Sequence, residues 1–232
     1  MQGYKIKFSS EVYQDQKPLV LFDSKNGKEN CREAILTLIN KGAIEICKPK
    51  KGQFLSSYFL VKKPDGSYRF ILNLKKLNKF IKTNHFKLED LRTAIKLIFP
   101  GNFMASIDLE DAYYTVPIHK DNRKYLRFQF SNTIYEFVCL PFGLCTAPFI
   151  FTKLLKPVAK FLRSRGLSSV IYLDDFLCIE ETREKCKNNV LETRELLSRL
   201  GFIINNKKSQ FEPSTRCKFL GFIIDYIKYL TL

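Results

Sequence analysis

Hydrophobic positions along the chain fall into short alternating runs and longer runs at helical spacing. Ile35, Leu38 and Ile39 share one helical face within 28–41, and Gly42 supplies a stop. Leu55, Ser57, Phe59 and Val61 alternate through 54–61, and Tyr68, Phe70, Leu72 and Leu74 through 68–74. Pro64-Asp65-Gly66 between them is a turn signal, so the two runs read as a hairpin. A modest helix is expected over 88–99. On the next strand Phe103, Ala105, Ile107 and Leu109 face one way, and Met104, Ser106 and Asp108 the other. The chain turns over 110–114, and 125–130 and 134–138 read as a second antiparallel pair. Phe151, Leu154, Leu155, Val158, Phe161 and Leu162 mark a helix with Pro157 inside it, ended by Gly166. Two brief apolar arms, Val170 to Leu173 and Phe176 to Ile179, flank Asp174-Asp175 and read as a tight hairpin with both acids at its tip. Cys186, Val190, Thr193, Leu197 and Leu200 mark a helix from about Thr182 to Gly201, and 218–225 is a last extended piece. From Phe103 onward the order is β-α-β-β-α-β. That order predicts an α+β fold, a split βαβ antiparallel sheet with helices on one face.

Composition narrows the partners. Lys and Arg number 39 against 23 Asp and Glu, a net charge of +16 that suits a polyanion such as nucleic acid. The basic residues are spread along the chain, which favours a broad groove over a basic tail. The seven cysteines form no Cys-x-x-Cys pair and only two histidines are present, which argues against a structural zinc site or a disulfide framework. The N-terminal stretch is polar and mixed, and no apolar run approaches a membrane span. An intracellular protein of the cytoplasm or nucleus, not secreted and without a membrane partner, is expected.

Asp108 ends an otherwise apolar strand, which is costly unless the carboxylate is paired or metal-bound. In a split βαβ sheet that strand lies beside the Asp174-Asp175 hairpin, so three carboxylates converge. An isolated Asp-Asp is more often a solvated turn. Three converging acids instead suit divalent cations, whose preferred ligands are carboxylate oxygens, and two such ions are the machinery of in-line phosphoryl transfer. Lys62, Lys63 and Arg69 lie near the first hairpin's turn, as ordinary edge-strand charge or, for Lys63 and Arg69, as cations for a triphosphate. Tyr113, close after Asp108, is either a core aromatic or a ring that excludes a sugar 2′-OH.

The motifs, taken in order, resemble those of reverse transcriptases. Ser106-Ile107-Asp108-Leu109-Glu110-Asp111-Ala112-Tyr113-Tyr114 resembles the first palm motif, and Leu140-Pro141-Phe142-Gly143-Leu144 with Ala147-Pro148 the next. Tyr172-Leu173-Asp174-Asp175 resembles the catalytic hairpin. Residues 201–208 are similar to the motif carrying a late lysine, and Phe219-Leu220-Gly221 to the primer grip. Upstream, 61–70 looks like the fingers hairpin, with Asn73-Leu74 and Leu77-Asn78 as its continuation. The helix leading into the Asp-Asp hairpin looks most like retrotransposons of the DIRS or gypsy type.

The resemblance implies a right-hand polymerase with fingers and a ferredoxin-like palm. It implies RNA-directed DNA synthesis with two Mg2+ ions, for which Mn2+ can substitute. Asp108, Asp174 and Asp175 would be the metal ligands, and Lys207 or Lys208 the proton donor to pyrophosphate. Lys63, Arg69, Leu109, Tyr113 and Phe142 would contact the nucleotide, and Phe219, Leu220 and Gly221 the primer. Retroviral enzymes carry Gln where Phe142 stands, whereas retrotransposon relatives carry an aromatic. The expected partners are a primer–template and deoxynucleoside triphosphates, with further polyprotein domains on other sequence. The expected division is a peripheral segment 1–27, fingers over 28–100 with part of 119–145, and palm over 101–118 and 146–232, without thumb or ribonuclease H. The competing reading is a catalytically idle nucleic-acid-binding remnant of a mobile element, and an RNA-templated RNA polymerase is a weaker third, disfavoured by Tyr113.

Overall fold

The computed structural model describes residues 2–18, 25–63, 66–83 and 85–225. In chain order the helices are α1 (Lys25–Asn40), α2 (Lys75–Asn78), α3 (Leu91–Leu97), α4 (Lys120–Arg123), α5 (Ala147–Ser164) and α6 (Arg183–Arg199). The strands are β1 (Ile44–Cys47), β2 (Ser57–Lys62), β3 (Tyr68–Asn73), β4 (Phe103–Glu110), β5 (Arg127–Phe130), β6 (Thr133–Phe137), β7 (Ser169–Tyr172), β8 (Asp175–Glu180), β9 (Ile203–Ile204), β10 (Gln210–Ser214), β11 (Arg216–Phe219) and β12 (Phe222–Asp225). They form two compact units: Met1–Asn84 with Tyr113–Ala147, and His85–Ala112 with Pro148–Leu232.

In the first unit α1 buries Cys31, Ala34, Ile35 and Leu38, an i, i+3, i+4, i+7 face. Ile39, expected on that face, lies at its edge and is exposed. Gly42 ends the helix at φ +63°, the left-handed conformation glycine adopts without strain. β2 and β3 pair antiparallel from Ser57–Asn73 to Lys62–Tyr68. Pro64 and Asp65 of the expected turn lie outside the described residues. Tyr58, Phe70 and Leu72 turn inward, leaving Phe59 and Val61 exposed on the other face. The inward rings meet: Tyr58 stacks on Phe70 at 4.9 Å, and Phe70 lies 4.7 Å from Phe128 of β5. In the β1-β6-β5 sheet, Arg127 is buried but satisfied. Its Nε donates to Glu136 Oε2 at 2.7 Å, its Nη2 pairs with the same carboxylate, and its Nη1 donates to both Gln53 Oε1 and the Lys48 carbonyl.

The second unit is built on a sheet ordered β10-β4-β8-β7, with β9 also pairing with β4. Its neighbouring pairs β10–β4, β4–β8 and β7–β8 are antiparallel. Counting β4, β7, β8 and β10 as four strands, the order is 4-1-3-2, the split βαβ topology that the sequence implied. β4 is buried on both sides, with Met104, Ala105, Ile107 and Leu109 all at 2 % exposure or less. One cluster joins Met104 to Val170, Leu177, Ile179, Cys217 and Phe219. α6 brings Cys186, Val190 and Leu197 inward, and Thr182 caps it by accepting the Lys185 N–H. The expected last extended piece is instead the hairpin β11–β12. α3 starts later than expected because Asp90 and Thr93 close a reciprocal cap there, and it ends at Leu97, where Ile98 turns extended.

Candidate active site

β4 and β8 align so that Ile107 faces Phe176 and Asp108 faces Asp175 across the ladder. β7 and β8 end their pairing at Tyr172–Asp175, which makes Leu173 and Asp174 the two-residue connection. This corrects the expectation of both acids at the tip: Asp174 occupies the turn and Asp175 opens β8. The left-handed conformation falls on Leu173, at φ +53°, and not on an aspartate. Leu pays for that conformation where Gly would not, of order 1–3 kcal/mol. The turn is tied back to the sheet, since the Leu109 N–H donates to the Asp174 carbonyl at 2.9 Å.

The three carboxylates repel one another in a partly desolvated place. Burial pushes the Asp175 carboxyl up to about 6; Asp174 and Asp108 add to the rise, and Lys208 opposes it. Asp108 is raised as well, first by burial, against the pull of Lys208, with Asp174 and Glu110 adding repulsion and a hydrogen bond from Asn205 opposing it. Such a donor set, all oxygen and short of positive charge, fits a hard divalent cation. Among the described residues no three His, Cys, Asp or Glu side chains form a ready-made metal cage. The acids are neighbours by register, not by shared ligation.

The turn after β9 completes this side. Asn205 Oδ1 accepts the backbone N–H groups of Lys207 and Lys208 at 3.2 and 3.3 Å. Of the two lysines the sequence could not separate, Lys208 is the one whose charge acts on both Asp108 and Asp175. Asn205 and Ser209 are functional candidates that the sequence reading passed over. Their only signal is position, flanking the lysine pair in a polar run.

In the first unit Arg69, Tyr113 and Phe142 come together. The Arg69 guanidinium carbon lies 5.1 Å from the centre of the Phe142 ring, a cation–π distance. Phe142 also meets Tyr113 at 5.2 Å and Tyr114 at 5.9 Å. The loop carrying Phe142 is seated against β3: Gly143 has φ +102°, and a Cβ there would overlap the Leu72 carbonyl oxygen. Asn78 holds the same loop from both sides, donating to the Gly143 carbonyl at 2.9 Å and accepting the Cys145 N–H at 3.1 Å. Lys63 follows β2, with its N–H on the Ser67 carbonyl.

Two expected contacts need correction. Leu109 is 2 % exposed and its N–H is taken by Asp174, so its side chain belongs to the core and not to a nucleotide. Phe219, expected in the primer grip, is also 2 % exposed and packs with Met104, Val170 and Leu177. Leu220 and Gly221 form the tight turn of β11–β12, at φ +52° and +83°.

Residues 61–224 match the family model described as reverse transcriptase (RNA-dependent DNA polymerase). The chain is 26 % identical over 164 residues to the Transposon Tf2-3 polyprotein of Schizosaccharomyces pombe, covering 71 % of this chain and 12 % of that protein. The Tf2-7 polyprotein of the same yeast is 25 % identical over the same length. The chain therefore spans about an eighth of the curated relatives it matches. Among solved structures, the foamy viral protease-reverse transcriptase dRH in complex with ds DNA superposes with a TM-score of 0.81 at 21 % identity, over 96 % of this chain and 38 % of that one. The foamy viral protease-reverse transcriptase in complex with RNA/DNA hybrid gives 0.76 at 21 % identity, over 95 % and 29 %. At that identity the superposition shows the fold, an α+β fingers-and-palm arrangement. No described helix is long and apolar enough to cross a membrane. With the family model spanning most of its length, the chain belongs to the reverse transcriptase family.

Proposed function

We propose that this chain is the polymerase core of a retrotransposon, extending a primer with deoxynucleotides on an RNA or DNA template. The observation that carries the reading is the register pair Asp108–Asp175 beside Asp174, where burial first and then the charge of Asp174 raise the proton affinity of Asp108 and Asp175. Asp108 and Asp174 would be the principal ligands of two divalent cations, with Asp175 in support. Bound there, the cations would supply charge stabilisation to the attacking and leaving oxygens. Lys208, whose charge acts on both Asp108 and Asp175, would hold the proton destined for pyrophosphate. Arg69 and Lys63 would hold the triphosphate, Arg69 steadied by the Phe142 ring. Tyr113, braced on the same ring, would exclude a 2′-OH.

On this reading the first unit serves as fingers and the second as palm through the primer grip. The +16 charge supports a primer–template partner. The polyprotein relatives support further domains encoded on the same element. The test is extension of a labelled primer on an RNA template by the purified chain with Mg2+ or Mn2+. Activity should appear and fall by at least about 10²–10³ in Asp174→Asn. Stable primer–template binding with no extension by the unaltered chain would favour an idle remnant.

A further inference from the structure

Both backbone groups of Asp108 are gripped by the turn that runs from Asn205 to Ser209. The Asn205 N–H donates to the Asp108 carbonyl at 2.8 Å. The Asp108 N–H donates to Ser209 Oγ at 3.0 Å, and Ser209 Oγ donates onward to the Asn205 carbonyl at 2.8 Å. At this residue the turn takes the place of the neighbouring strand, since β10 pairs with β4 only at Ser106 and Met104.

The Asn205 side chain works in two directions. Its Oδ1 accepts from Lys207 and Lys208, an Asx-type turn. The same side chain also favours the ionised form of the Asp108 carboxylate. With the oxygen used by two donors, the amide nitrogen is the atom left to face that carboxylate. One residue thus fixes the carboxylate, the strand that bears it and the turn that carries Lys208.

We propose that Asn205 is a positioning residue of the polymerase site, aiming the Asp108 carboxylate at its cation while holding Lys208 alongside. The assignment rests on the polymerase reading above. It is more than a turn cap, because a cap needs only the acceptor oxygen. Asp would keep that acceptor and hence the turn, but would set a carboxylate against Asp108. Ala would remove both functions. Groups that orient a metal ligand are typically worth about 10–100-fold in affinity or activity.

The test compares the unaltered chain, Asn205→Ala, Asn205→Asp and Asp174→Asn. Mn2+ affinity is measured on the protein alone by calorimetry. kcat and the KM for a deoxynucleotide are measured in RNA-templated extension, with the melting temperature for each chain. Asn205→Ala should weaken Mn2+ binding and lower kcat, each by about 10–100-fold, with KM unchanged. Asn205→Asp should melt like the unaltered chain and still lose kcat. Unaltered kcat in Asn205→Asp would overturn the proposal, leaving Asn205 a turn cap. If Asp174→Asn is inactive while both Asn205 variants match the unaltered chain, the positioning role alone fails. If the unaltered chain binds no Mn2+, or if Asp174→Asn keeps full affinity and turnover, the polymerase reading fails and the positioning role with it.

Discussion

Tyr113→Ala separates a sugar gate from a packing aromatic in one variant. Truncating a fully buried large aromatic costs about 3–5 kcal/mol. Tyr113 is partly exposed, so a loss below that range, roughly 2–3 kcal/mol, is expected. Its ring contact with Phe142 at 5.2 Å accounts for about 0.5–1.5 kcal/mol of this loss. Opening the space of the ring should relax discrimination against a 2′-OH by about 1–3 kcal/mol, or roughly 10–200-fold, the range for small groups in a pocket. The assay is single-nucleotide incorporation with matched ribo- and deoxyribonucleotides, read as the ratio of the two kcat/KM values, together with urea denaturation. The reasoning predicts a ratio shifted toward ribonucleotides with a modest loss of stability. An unchanged ratio with a loss of 3–5 kcal/mol would make Tyr113 a core residue and refute the gate.

Two other expectations concern charge. The Asp175 carboxyl moves from its ordinary 3.8 to about 6 on folding, so between those values the folded chain holds a proton that the unfolded chain has lost. Metal-free stability should therefore fall as pH rises through that window and level off above it, and Asp175→Asn should flatten the slope; an unflattened slope would place the titration elsewhere. Binding to a primer–template should weaken steeply from 50 to 200 mM salt, with little dependence on sequence; salt-independent binding constants would exclude a backbone-tracking groove.

The parts of the fold that were legible are those where periodicity and turn chemistry agree. The alternation through β4 located Asp108, and Ala105, Ile107 and Leu109 of its apolar face are buried, but Met104 on the other face is buried too, because the strand is covered on both sides. The Asp174-Asp175 hairpin was visible as two apolar arms, but not the residue that bends it. A Leu at φ +53° breaks the local preference, and the tie from Leu109 N–H to the Asp174 carbonyl that supports it is a tertiary contact. β10 was missed because it contains Pro213, which argues against a strand, and its pairing shifts register between Gln210 and Ser214. The β11–β12 hairpin was read as one extended piece because half its turn is Leu220, another left-handed Leu. Asn205 looked like any polar turn residue. Its partner Asp108 lies far back along the chain, joined only when β9 pairs with β4.

The central claim is that Asp108, Asp174 and Asp175 hold catalytic cations. Its most direct test is anomalous diffraction at the manganese edge from crystals grown with Mn2+, a primer–template and a non-hydrolysable deoxynucleotide analogue. The account predicts two manganese peaks about 3.5–4 Å apart, with carboxylate oxygens of Asp108 and Asp174 among their ligands. Manganese absent from these carboxylates while the nucleotide is bound, or bound only elsewhere on the chain, would contradict it.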